Sequence, residues 1–244
     1  MTVEEFSRAL AGVEAGEIRA QKAARILARL EAEAAVTLLG ELFRRADRRS
    51  GPHSAALEGL LRAVRTLLDE ARTDALFHAA EASQNLEVQA LLARSAPERS
   101  FDRDRAEWVD REMSARTLGE RRAMAKKHDR DLLARLASDQ DPTVVRHVLS
   151  NSRCTEREAL LVAARRPQRT DVLEELFRSR RWSTNRRIRR ALALNPYSPP
   201  ALASAALALL TGPDLREVAA DLTISTDVRV QARRLLAHRS GREA

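Results

Sequence analysis

The chain has 244 residues, a formal charge of +8, one cysteine, 3% aromatic residues and 32% charged residues. That length admits one large domain or two small ones, and 44% apolar residues exclude wholesale disorder. The lone Cys154 excludes a disulfide framework and any four-thiolate metal or iron–sulfur site. Charge is uneven: residues 1–100 hold 14 basic and 15 acidic residues, while residues 101–244 hold 29 and 20. Of the 43 basic residues, only Lys22, Lys126 and Lys127 are lysines. A GC-rich genome would enrich arginine and alanine together, but it does not place the excess in one half.

From the start, acids stand where a secretory signal would carry Lys or Arg, so a cytoplasmic address is expected. The longest apolar run, Pro199 to Leu210, is too short to span ~30 Å of hydrocarbon. Thr2 and Glu5 have the spacing of a capping box, which predicts a helix start. Val36, Leu38, Leu39, Leu42 and Phe43 form an apolar helical stripe, as do Leu57, Leu60, Leu61, Val64, Leu67 and Leu68. Breaks are expected near Gly51-Pro52 and Thr73-Asp74, which makes residues 1–95 an N-terminal helical bundle or cap. The stretch around Pro97, residues 96–106, reads as a linker, and residues 107–240 read as one helical-repeat domain. Thr117…Glu120 and Thr155…Glu158 are two further capping boxes, and Leu132, Leu133, Leu136 and Ala137 mark another stripe. Pro167, Asn195-Pro196, Pro199-Pro200 and Gly212-Pro213 read as stops, and no segment alternates as a strand would. The fold class is all-α.

The second half repeats itself. Glu120 and Ala125 match Glu158 and Ala163 at a spacing of 38, and Asp131, Leu133 and Leu136 match Asp171, Leu173 and Leu176 at 40. Val145 matches Ile188 at 43, and Asn151 matches Asn195 at 44. A shorter third copy follows Ser198, with Asp227-Val228-Arg229 in the place of Val145-Arg146. A drifting period near 40 is what two or three helices per repeat would give, and such units must stack to share a core.

Two segments carry a resemblance: Asp141-Pro142-Thr143-Val144-Val145-Arg146, and the run from Ile188-Arg189-Arg190 through Asn195-Pro196-Tyr197-Ser198-Pro199-Pro200 to Leu202. They resemble the VR-x-x-(V/L)-A-x-N-P-x-(T/S)-P pattern of bacterial leucine-rich repeat variants and the wider HEAT-like group. The resemblance covers residues 115–237 and implies a right-handed α-solenoid of short stacked helices, capped by the N-terminal bundle. The first copy departs from it, because Asn151-Ser152-Arg153-Cys154-Thr155 lacks both prolines. The cysteine cluster that such proteins carry for iron and sulfur is missing, so no redox role and no cofactor carry over.

Phosphate-binding, serine-hydrolase, zinc-protease and CxxC motifs do not occur in the sequence. The five histidines, His53, His78, His128, His147 and His238, never stand three or four apart, as helical metal ligands would. Cys154 precedes the helix that Thr155 caps, where the dipole would lower a thiol pKa, but no histidine stands near it as a base. It reads as a small turn residue. One constellation stands out: Arg178, Arg180, Arg181, Arg186, Arg187, Arg189 and Arg190 surround Trp182. A helix from Asn185 would place Arg186, Arg189 and Arg190 on one outer face. Arg165 and Arg166, with Lys126 and Lys127 taken as their repeat equivalents, would extend it. Arg181, Trp182, Arg186, Arg189 and Arg190 are the expected anchors, since Arg and Trp dominate interface hot spots.

The expected function is therefore a non-enzymatic helical-repeat scaffold whose basic face binds an acidic protein partner. The alternative is a nucleic-acid-binding HEAT-like protein, because HEAT-like alkylpurine DNA glycosylases resemble the chain in length, helix content and charge. Those enzymes combine tryptophans with an aspartate, but Trp108 and Asp110 stand two apart, a spacing that does not share a helix face. A third reading is docking onto an anionic membrane surface.

Overall fold

Alanine, leucine and arginine all favour the helix, and polar side chains at the expected starts satisfy its first N–H groups. The computed structural model describes residues 1–13, 16–45, 52–102, 110–179 and 181–240. Among them it holds sixteen helices and no strand. Gly51, Trp108, Arg180 and the linker positions 103–106 lie outside the described residues. The first six helices are α1 (Val3–Ala11), α2 (Gly16–Arg29), α3 (Ala32–Arg45), α4 (Pro52–Thr66), α5 (Glu70–Ala82) and α6 (Leu86–Leu92). Seven follow: α7 (Arg111–Ser114), α8 (Leu118–Ala125), α9 (Arg130–Leu136), α10 (Pro142–Ser150), α11 (Glu156–Ala164), α12 (Thr170–Arg178) and α13 (Arg186–Ala193). The last three are α14 (Pro200–Leu207), α15 (Gly212–Ala220) and α16 (Thr226–Ser240). No described helix is long and apolar enough to cross a membrane.

The contacts divide the chain into two units, Met1–Ser95 with Pro200–Ala244, and Ala96–Pro199. Residues 200–240 group with the N-terminal helices. The reason is visible in α14, which is buried along its whole length from Pro200 to Leu207. A helix apolar on every side needs cover on every side, and α6 and α16 pack on it. Within this first unit α1 and α2 pack on α4, and α3 packs on α5 and α6. Phe6, Leu10, Leu27, Leu39, Leu42, Leu57, Leu60 and Leu76 are fully buried there, each worth roughly 1.5–3 kcal/mol relative to exposure. Arginines close helix ends: Arg72 donates to the Leu27 and Leu30 carbonyls, and buried Arg239 donates to those of Ala208 and Leu210.

Some local expectations change. Thr73-Asp74 lies inside α5, because Asp69 accepts from the Arg72 N–H at 2.7 Å and starts the helix earlier. α4 ends at Thr66, so Leu67 leaves the apolar stripe and is exposed. Gly212-Pro213 begins a helix instead of ending one. Thr211 precedes it, and the Asp214 carboxylate accepts from the Thr211 N–H at 3.2 Å.

In the second unit two helix triplets follow the same plan. Thr117 and Glu120 start α8 by reciprocal hydrogen bonds of 2.7 and 3.3 Å, and the Glu158 carboxylate accepts from the Thr155 N–H at 2.8 Å before α11. Asp141 caps α10 through the N–H groups two and three residues on, and Asn185 caps α13 in the same way. α8 packs on α10 as α11 packs on α13. At the end of α10 the buried Asn151 side chain donates to the Ala125 and Lys127 carbonyls at 3.0 and 2.9 Å. At the end of α13 the buried Asn195 donates to the Ala163 and Arg165 carbonyls at 2.8 and 3.1 Å. Each asparagine also accepts from the N–H two residues on, Arg153 or Tyr197, at 3.0 Å. These clasps align Lys127 with Arg165, so the doublets Lys126-Lys127 and Arg165-Arg166 are offset by one residue.

The triplets join where α10 meets α11 and α12. Arg146 forks onto the buried Glu175 at 2.8 and 2.7 Å, and Arg178 meets the same carboxylate at 3.1 Å. The buried Trp182 lies in the second unit, so its fluorescence reports the unfolding of that unit. Asn195→Ala removes two buried donors and strands two carbonyls, and we predict a loss of about 2–4 kcal/mol in urea unfolding followed by that fluorescence. A loss below about 1 kcal/mol would contradict the clasp.

Candidate functional site

The sequence-predicted anchors separate by burial. Trp182 is 4% exposed, and its indole N–H donates to the Leu149 carbonyl at 2.9 Å. It is a core residue that ties the α12–α13 turn to the end of α10, not an exposed hot spot. Arg181 is exposed, stacks on the Trp182 ring at 4.4 Å and reaches the Asn151 carbonyl at 3.4 Å. Arg189 is 9% exposed and donates to the Ser183 carbonyl at 2.5 Å, so it turns inward beside Ile188 and Leu192. The expected common face of Arg186, Arg189 and Arg190 is therefore broken: Arg186 and Arg190 stay on the surface, and Arg189 does not. Lys126 and Lys127 are exposed at the end of α8.

Asp110 is not placed as a free catalytic carboxylate. It caps α7 through the Met113 N–H, and Arg135 forks onto it at 2.5 and 2.9 Å. The Arg135 guanidinium holds the Asp110 pKa down at about 2. Arg135 also meets Glu112 at 2.7 Å. Cys154 is fully buried, and that burial pushes its thiol up to about 12, so the helix start does not activate it. Burial instead pulls the His147 pKa below its usual value, together with the cations Lys126, Arg122 and Arg146. Among the described residues no group of three or more His, Cys, Asp or Glu side chains stands together to hold a metal ion.

What the structure does bring together is a groove of about 990 Å³ along the outer side of α11. α11 turns Ala159, Val162 and Ala163 into the core and leaves Leu160 half-buried and Leu161 44% exposed. The groove is lined by Leu160, Leu161 and Ala164 from that face, by Arg165, Arg166 and Pro167 from the following turn, and by Arg187 of α13. Arg157, Glu156 and Ser138 complete the lining. Four arginines thus meet one carboxylate around an aliphatic floor. The clasp holds this turn in place: Asn195 binds the Arg165 carbonyl at 3.1 Å, and Arg166 donates back to the Leu194 carbonyl at 2.5 Å.

The four arginines are not equivalent. Arg187 is paired with Glu156 at 3.1 Å, and Arg166 has spent a donor on Leu194. Arg157 is exposed. Arg165 is mostly buried, and its buried Nη1 has no hydrogen-bond acceptor among the described residues. Burial pulls its pKa below the usual arginine value, with the Asp139 charge opposing. That carboxylate is already taken by Arg121 at 2.7 Å. The sequence reading named Arg165 and Arg166 but missed Arg157, Arg187 as part of the groove, and Leu161. The signal it passed over was the run Ala159-Leu160-Leu161-Val162-Ala163, which is apolar beyond the width of one buried stripe.

Comparison with protein-family models, with curated proteins and with solved structures finds no match for this chain.

Two outcomes follow from these placements. Trp182→Ala removes a buried indole, and we predict a loss of about 3–5 kcal/mol in denaturant unfolding followed by circular dichroism. A change below about 1 kcal/mol would mean that Trp182 is a surface residue. Asp110 is depressed in the folded state, so its contribution is present above the ordinary aspartate value of 3.8 and lost as pH falls towards about 2. Stability measured across that window is expected to fall more steeply in the native chain than in Asp110→Asn. Equal slopes would contradict the pairing with Arg135.

Proposed function

We propose that the second unit is a stack of HEAT-like helical repeats of the solenoid type, and that the protein is a non-enzymatic scaffold. Its partner is a protein with an acidic surface, held by the arginines around α11 and α13. The observation that carries this reading is the groove, in which four arginines surround leucine, alanine and proline side chains with Glu156 the one acid among them. The matching Asn151 and Asn195 clasps support the repeat, because stacked units repeat their closing interactions. An aliphatic floor suits a protein partner better than bases, which stack on aromatic rings, and Trp182 is buried.

The test immobilises the native chain and an Arg157→Glu/Arg187→Glu variant and challenges both with soluble extract from the source cells. Both positions are exposed and the Arg187–Glu156 pair is a surface pair, worth about 0–1 kcal/mol, so the variant is expected to unfold within a few degrees of the native chain. Acidic proteins are expected on the native chain and lost at least tenfold from the variant. A gel shift with duplex DNA at about 50 mM salt, where electrostatic attachment is strongest, is expected to show no complex. An unchanged set of captured proteins, or a duplex complex that salt dissolves, would overturn the proposal.

A further inference from the structure

We infer that the α11 groove receives one amphipathic helical segment of the partner, of up to two turns, whose aliphatic side chains sit on Leu160 and Leu161 and whose carboxylate is taken by Arg165. This rests on the acidic-partner reading and adds the occupant and the residue that selects it.

Size and chemistry both point to this occupant. One helical turn is a cylinder ~5.4 Å long and ~10 Å across, on the order of 400 Å³, so about 990 Å³ holds roughly two turns. Leu161 is 44% exposed in the groove, apolar surface that an aliphatic side chain of the occupant removes from water. A helix lays apolar residues three and four apart into such a groove and leaves its acids to the rim. Glu156 already holds Arg187, so the charge left for an incoming acid is on Arg157, Arg165 and Arg166.

Arg165 is the selecting residue because its charge is the least satisfied. It lines the groove, its Nη1 is buried without an acceptor, and the nearby Asp139 is held by Arg121. Its backbone is pinned by Asn195, and the residue already stands in the groove wall. A carboxylate there completes a bidentate, charge-assisted pair, stronger than a hydrogen bond between neutral groups. An occupant without an acid leaves the guanidinium desolvated and unmet, so the groove rejects neutral amphipathic helices as well as accepting acidic ones. The same deficit predicts an unusual signature: removing the charge weakens binding without weakening the fold, because an unpaired buried cation is a cost to the folded chain.

The experiment selects 12-residue peptides from a random display library on the full chain. The recovered peptides are then titrated by calorimetry against the native chain, Arg165→Leu and Arg165→Lys, with thermal unfolding of each. The expected peptides carry Leu, Ile or Met at three- and four-residue spacing with Asp or Glu on the flanks. Arg165→Leu is expected to bind them at least tenfold more weakly at an unchanged or higher unfolding temperature. Arg165→Lys is expected to recover part of the affinity, since it restores the charge but not the fork. Acidic peptides that bind Arg165→Leu as well as native, but lose affinity in Arg157→Glu/Arg187→Glu, would overturn the role of Arg165 and leave the acidic-partner reading standing. Recovery of no peptide, or of peptides without acids, would overturn the inference. Capture of duplex DNA instead would overturn both.

Discussion

Short helices leave a large share of their backbone unsatisfied, and that constraint shapes the second unit. A helix of eight or nine residues, such as α8, α11 or α13, still has four open N–H groups and four open carbonyls, and it is too short to hold itself together in water. Threonine–glutamate boxes and Asp or Asn caps close the starts. The ends are closed across space by Asn151 and Asn195, each reaching from the end of a third helix to two carbonyls at the end of the first. The arginine-bearing turn after α11 is held in this way. The groove thus inherits its geometry from a clasp whose own atoms do not line it.

Arginine serves several physical roles in this chain, and burial sorts them. Arg72 and Arg239 close helix carbonyls in the first unit. Arg121, Arg135 and Arg146 pair with carboxylates and tie helices together. Arg189 is turned inward onto a turn carbonyl. Many of the arginines in the basic half are therefore structural, so net charge overstates the charge available to a partner. Around the groove Arg165 combines a lining position with an acceptor-less buried edge, which is why the specificity argument settles on it.

Local signals were legible in the sequence. The Thr2, Thr117 and Thr155 boxes follow from a hydroxyl and a carboxylate three residues apart, and the matching of Asn151 with Asn195 followed from spacing alone. Signals that depend on a distant partner were not. Trp182 sits among arginines and reads as surface, yet it is buried and its indole N–H donates to a carbonyl 33 residues away. Arg189 shares helical spacing with Arg186 and Arg190, yet it turns inward onto the Ser183 carbonyl. Residues 200–240 carry the same helical pattern as the triplets, but α14 is apolar on every side and is covered by α6 and α16. Which leucine of Leu160-Leu161 faces outward depends on how α11 lies against α13, which periodicity does not encode.

The second unit depends most on the asparagine clasps, and nuclear magnetic resonance reads them directly through exchange of the side-chain amide protons with solvent. The Asn151 and Asn195 amide protons are predicted to exchange markedly more slowly than those of the chain's solvent-accessible side-chain amides, with each proton pair bonded to two carbonyls. Fast exchange at both positions would mean that the triplets are not closed in this way, and that the arginine turn beside the groove is not held where the account places it.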